Sequence, residues 1–290
     1  MKFTLSCIVI CIHLCLARHT GTNNNGLRIR GGRNATEDEF PYVMKLMLQL
    51  LKTRKSPDQF IRVCSGAVLT SKWTLTAKHC IFSVEQFQQQ QLSAGVTPIK
   101  LVIEYQPSPN SDFAYSEVSS MSTPPGRTNL RMTKLTNDIG LLHTQPVLLA
   151  KYGKLSPIDY AALTGQAVSI VGYGMIMNKG ENPPLVAQVI DVVVKECPNK
   201  LHYPQLCFAP SCSEQSTISQ SICPGDSGGP AVHASGVVGV STANDPRNCF
   251  PNSSPRDRYD LGYEVGTSTP ISPFVDWIST VIRTEIDTRF

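Results

Sequence analysis

Blocks of apolar and polar positions divide this chain. Residues 42–51 are an apolar run that Lys52, Thr53, Arg54, Lys55, Ser56 and Pro57 interrupt before apolar character returns over 61–69. That pattern predicts a long hairpin with a solvated, basic tip. Residues 64–70 and 73–80 read as short strands joined by a polar turn. Residues 85–91 are rich in Gln and residues 107–127 in Ser and Pro, and both read as surface loops. An exposed loop over 178–184 leads into a strand over 185–194. Near the end of the chain the period changes. Phe274, Trp277, Ile278, Val281 and Ile282 fall on one helical face, with Ser272 placed to cap and Pro273 at the first helical position, so a helix is expected over 272–288.

An apolar segment also opens the chain. Residues 1–17 carry one Lys, an apolar centre and a terminal small residue, Ala17, the layout of a secretory signal. A membrane anchor would need about 18 to 20 uninterrupted apolar residues. His13 and Arg18 cut this one short, and no later stretch is long enough to span a bilayer. Residues 18–28 are polar and aperiodic, and read as a short pro-segment ending at Arg28. Asn34-Ala35-Thr36 and Asn252-Ser253-Ser254 are glycosylation sequons, consistent with export.

Composition then narrows the function. With 41% hydrophobic and 17% charged residues the chain can bury a sizeable core. The formal charge of +4 shrinks once Lys2, Arg18 and Arg28 leave, since 23 basic residues then face 22 acidic ones. Nothing in that balance points to nucleic acid or an anionic membrane. Loss of Cys7, Cys11 and Cys15 with the signal leaves Cys64, Cys80, Cys197, Cys207, Cys212, Cys223 and Cys249. In an oxidising compartment an odd number leaves one over. No CxxC pair with a His partner at finger spacing occurs, so neither structural zinc nor another cofactor is expected.

The candidate chemistry centres on 225–230, which read Gly-Asp-Ser-Gly-Gly-Pro. Glycines around a serine let the backbone approach closely, so the N–H groups of Gly225 and Ser227 can converge on one developing oxyanion. An ordinary Gly-rich turn with an exposed Ser is the bland alternative. The stretch resembles the nucleophile loop of the chymotrypsin-like serine proteases. Two further segments extend the resemblance: Thr76-Ala77-Lys78-His79-Cys80 is similar to the family's TAAHC motif, and Asp138-Ile139-Gly140-Leu141-Leu142 to its DIALL segment. The order His79, Asp138, Ser227 is that of the chymotrypsin type. An α/β-hydrolase lipase or esterase would run Ser, Asp, His.

The resemblance implies an all-β fold of two six-stranded antiparallel barrels, about 29–150 and 151–271, within a peptidase domain over 29–290. Residues 152–160 would connect the barrels, and 165–174 would be a strand ending in Gly-Tyr-Gly. It implies His79 as general base, Asp138 as its orienter, Ser227 as nucleophile, and the amides of Gly225 and Ser227 as the oxyanion hole. It pairs Cys64 with Cys80, Cys197 with Cys207 and Cys223 with Cys249, leaving Cys212 as a free thiol or an interchain link. It implies activation by a trypsin-like protease cutting after Arg28, so that the Ile29 ammonium pairs with Asp226; Arg30 offers a competing cut. The pocket floor would be Ser221 beside Ile222, walled by Ser241, Thr242 and Ala243 with Gly266 opposite. Lacking a buried acid, that pocket suits an apolar P1 residue of small to medium size rather than Arg or Lys. Partners implied are protein or peptide substrates and protein inhibitors, with no membrane anchor. The rival expectation is a secreted homologue of weak or no activity that acts by binding.

Overall fold

The computed structural model describes residues 32–51, 59–93, 99–126, 136–174, 186–197, 204–211, 221–243 and 265–287. After a two-residue strand, β1 (Arg33–Asn34), the chain builds six antiparallel strands: β2 (Val43–Leu50), β3 (Gln59–Val68), β4 (Trp73–Thr76), β5 (Ile99–Tyr105), β6 (Ala114–Ser122) and β7 (Gly140–Thr144). They close into a barrel in the order β2-β3-β4-β7-β6-β5. A second set follows: β8 (Ala167–Gly172), β9 (Gln188–Lys195), β10 (Leu206–Pro210), β11 (Pro230–His233), β12 (Gly236–Ala243) and β13 (Gly266–Pro270). Here β9-β10-β13-β12-β11-β8 is closed by the β8–β9 pairing. Closure removes the sheet edges that would otherwise expose unpaired backbone. Strand β1 precedes the first barrel in sequence yet adds to β9 of the second, pairing Arg33 with Val189 and Asn34 with Gln188.

Branched residues dominate the strand interiors, as in β9, where Val189, Ile190, Val192 and Val194 are all buried. One apolar cluster fills the first barrel and continues through Val171, Val237, Val240 and Ile271 to Phe274 and Ile278 of the C-terminal segment. A second cluster, including Ile170, Ile190, Leu206, Phe208 and Ile222, fills the other barrel. Buried among these is one ion pair, Lys45 to Glu104, with the Tyr115 hydroxyl donating to Glu104 (2.9 Å). The Lys45 ammonium also lies over the rings of Phe113 (4.0 Å) and Tyr173 (4.8 Å).

Four local expectations are corrected. Residues 85–91 are not a loop but part of α1 (Lys78–Ser93), because Gln and Glu are good helix formers and Ile81, Val84 and Phe87 recur at threes to pack on the core. For the same reason the second of the two short strands stops at Thr76. Within 107–127, residues 114–122 pair with β5 and β7 as β6. Ser272 does not cap: a single 3-10 turn (Ser272–Phe274) leads into α2 (Val275–Asp287), and the Ser272 hydroxyl accepts from Tyr160 N–H (3.0 Å).

Candidate active site

His79 stands in the first turn of α1, directly after β4, and its neighbour Cys80 is bonded to Cys64 of β3. That bond pins the helix start to the barrel. Asp138 sits just before β7 and is fully buried. Its carboxylate meets His79 twice: Oδ1 accepts from the backbone N–H (2.8 Å), and Oδ2 lies 2.7 Å from Nδ1. Such an arrangement fixes the ring and the tautomer with the proton on Nδ1. A carboxylate at that depth is tolerable because both oxygens have partners.

Ser227 comes from the other barrel, in the turn before β11. A residue that sequence reasoning passed over, Ser65 of β3, holds this turn in place. Its N–H donates to Ser227 O (2.8 Å), its hydroxyl donates to Gly225 O (2.8 Å), and the same hydroxyl accepts from Tyr173 N–H (2.9 Å). The only local hint was its place beside Cys64. Contact here is so close that a Cβ on Gly228 would lie 2.4 Å from Ser65 O and 2.3 Å from Thr76 Oγ1. Gly228 also has φ +81°, so no other residue fits there without strain.

The amides of Asp226 and Gly229 donate within the turn, to Cys223 O and Asp226 O, and that of Gly228 donates to Ser241 O of β12. Among the described residues the amides of Gly225 and Ser227 have no acceptor. The Ser227 hydroxyl donates to Thr242 O (3.3 Å), while His79 Nε2 lies 3.7 Å from Cys80 Sγ; His79 and Ser227 are not hydrogen-bonded to each other. Cys64, His79 and Cys80 cluster tightly enough to suggest a metal site. Both sulfurs are spent on their disulfide, so neither offers a thiolate.

Of the six residues expected to form the pocket, Ser221, Ile222, Ser241, Thr242 and Gly266 are buried, and Ala243 ends β12. Ile222 lies flat against Gly266, where a Cβ would sit 2.6 Å from Ile222 Cδ1. Thr242 turns its hydroxyl away, toward Thr267 O (3.1 Å). A separate hollow of about 300 Å³ lies between residues 35–43, the 106–110 turn and Tyr173, and none of His79, Asp138 or Ser227 lines it. Cys197 and Cys207 are bonded, and Cys223 is also in a disulfide. Cys249, Cys212, Arg28, Ile29 and Asn252 lie outside the described residues.

Against known families, the model described as Trypsin matches residues 29–278. The chain belongs to the trypsin family. Curated relatives of this trypsin-family chain include serine protease SP24D of Anopheles gambiae, 27% identical over 265 residues, covering 89% of this chain and 82% of that one. Granzyme M of Rattus norvegicus is 25% identical over 88% of this chain and 89% of its own length. The anionic trypsin of Canis lupus familiaris is also 25% identical, over 88% and 90%. Among solved structures, neuropsin, a serine protease expressed in the limbic system of mouse brain, aligns with TM-score 0.58 at 20% identity over 87% of this chain and 98% of that one. That likeness bears on the fold alone. As a trypsin-family member the protein is a serine endopeptidase, a hydrolase acting on protein substrates. No helix among the described residues is long and apolar enough to cross a membrane.

Proposed function

We propose that the protein is a secreted endopeptidase, made as a zymogen, that works through His79, Asp138 and Ser227 and cuts after apolar P1 residues of small to medium size. One observation carries this most: a buried carboxylate grips His79 from two sides, next to a serine turn in which only the Gly225 and Ser227 amides among its N-terminal donors lack acceptors. In this mechanism the Ser227 hydroxyl swings from Thr242 O to His79 Nε2, which takes its proton as Oγ attacks the scissile carbonyl. Asp138 steadies the imidazolium, and the two free amides take the oxyanion. His79 then protonates the leaving amine, and water releases the acyl-enzyme.

The specificity proposed rests on Ser221, which is uncharged and buried, and on Ile222, whose side chain lies against Gly266. Cleavage after Arg28 would free Ile29 to pair with Asp226. Residues 1–17 serve as the signal and 18–28 as the pro-segment, Asn34 and Asn252 as glycosylation sites, and Cys249 as the partner of Cys223. An activating trypsin-like protease and protein inhibitors are the proposed partners, with Cys212 open to an interchain link.

The hydrogen bond from Ser227 to Thr242 favours a second function, a binding homologue whose serine is not activated. Labelling with a fluorophosphonate probe before and after limited trypsin cleavage separates the two, with Ser227→Ala as control and the new N-terminus sequenced. Labelling that follows exposure of Ile29 supports the protease. A clean Ile29 terminus without labelling supports the binding homologue.

A further inference from the structure

Asp226 is fully buried, and its two oxygens accept from Gly174 N–H (2.7 Å) and Cys223 N–H (3.0 Å). Burial pushes its pKa up to about 7; the two amides and the charge of Arg62 pull the other way. Two neutral donors do not balance a carboxylate taken wholly out of water.

Arg62 reaches this place from β3 of the other barrel. Its Nη1 donates to Tyr173 O and to Gly174 O (3.1 Å). Tyr173 O and Gly174 N–H belong to one peptide unit. A guanidinium therefore holds the carbonyl end of the peptide whose amide end holds Asp226. Charge at both ends polarises such a peptide in the same sense, so each hydrogen bond strengthens the other.

The remaining charges nearby do not substitute for it. Tyr173 itself is neutral, its phenol pushed up by burial, and Cys223 is in a disulfide. Beyond the Tyr173 ring, Lys45 of β2 is neutralised by Glu104 of β5. Among the described residues, Arg62 is the cation whose charge acts on Asp226. The turn that Asp226 supports is formed, with Gly225 O anchored by Ser65 and the Gly225 and Ser227 amides free.

We infer that Arg62 is a positioning residue for the oxyanion turn, acting on Asp226 through the Tyr173–Gly174 peptide, and that it does so in the chain before any cleavage. The inference rests on the protease function proposed above. Cleavage then adds the Ile29 ammonium to a turn that Arg62 already holds, so the uncut protein retains a measurable rate of acylation.

The test compares wild type, Arg62→Gln and Arg62→Lys, each uncut and cut after Arg28, by the rate of fluorophosphonate labelling of Ser227 from pH 5 to 9. Urea melts establish that each protein is folded. In the uncut chain Arg62→Gln should slow labelling about tenfold at pH 7 and move the acid limb of the profile upward by about one pH unit, because the carboxylate loses a charge that favours its ionised form. Arg62→Lys, which keeps the charge and loses the fork, should leave the limb where wild type has it. In the cut protein the shift should shrink.

An unmoved limb in folded Arg62→Gln overturns the inference, as does an uncut wild type that never labels while the cut form does. Equal losses in both variants without a pH shift reduce Arg62 to a clamp and also overturn it. Should Arg62→Gln not fold, Arg62→Gln combined with Asp226→Asn decides: a double variant that folds, rescued by loss of the carboxylate, supports the inference, and one that fails as the single variant does refutes it. Absence of labelling in every form, cut wild type included, counts against the protease function itself.

Discussion

Asp138 holds His79 by its backbone and its ring at once, 2.8 Å from N and 2.7 Å from Nδ1. The two bonds do different things. The backbone bond orients the start of α1, and the ring bond selects the tautomer that leaves Nε2 free to accept a proton.

Asp138→Asn separates these roles. The amide oxygen can still accept from one N–H, so the fold should survive, while the ring loses its preferred tautomer. The expected result is a fall in kcat of about 10⁴-fold with little change in KM, measured on a peptide ester or amide. Similar losses in kcat and in thermal stability would point instead to a structural carboxylate.

Ser65→Ala removes a hydroxyl that links Gly225 O with Tyr173 N–H. Both partners are buried, so the loss should be about 1–3 kcal/mol in urea unfolding. It should also lower kcat more than it raises KM, because the turn carrying the free amides loses its anchor. Ser65→Thr, with its hydroxyl kept, checks that the hydroxyl rather than the packing is responsible.

Asp226 gives the stability a particular pH dependence. Its folded pKa, about 7, lies above the ordinary carboxylate value, so the folded state binds the extra proton between about pH 4 and 7. The group therefore favours folding fully at low pH, and that contribution is lost as pH rises through 7. Its upper limit is about 4 kcal/mol. Urea unfolding of the uncut protein at pH 5 and pH 8 should show the loss, and Asp226→Asn should remove that component of the slope.

Ile222→Gly tests the proposed P1 specificity. Removing the side chain that lies on Gly266 should shift cleavage toward larger, aromatic P1 residues by about 10- to 200-fold in kcat/KM ratio, read from a P1-diverse peptide library. An unchanged preference would place the specificity outside Ile222.

Much of the architecture was legible because its signals are local. The hairpin of β2 and β3 follows from two apolar runs around a basic interruption, and the neighbouring residues Cys80 and His79 follow from a short motif. What escaped depends on distant partners. Nothing near Lys45 announces Glu104, 59 positions away, and nothing near Ser65 announces Gly225 and Tyr173. The Gln-rich stretch of α1 was missed for a different reason. Its polarity suggested a loop, whereas three apolar contacts and good helix formers sufficed once Cys80 fixed the first turn. Ser272 has the right residue type for a cap, but Tyr160 takes its hydroxyl.

The seam between the barrels has one further consequence. Where Gly228 passes Ser65 and Thr76 there is no room for a methyl group, and hydrogen bonds cross the gap on either side. A junction that tight behaves as a weld, not a hinge. Substrates of different shape cannot then be admitted by rocking one half of the molecule against the other. Diversification of such a scaffold falls to segments that do not cross the seam, which can lengthen or change sequence without moving His79 relative to Ser227.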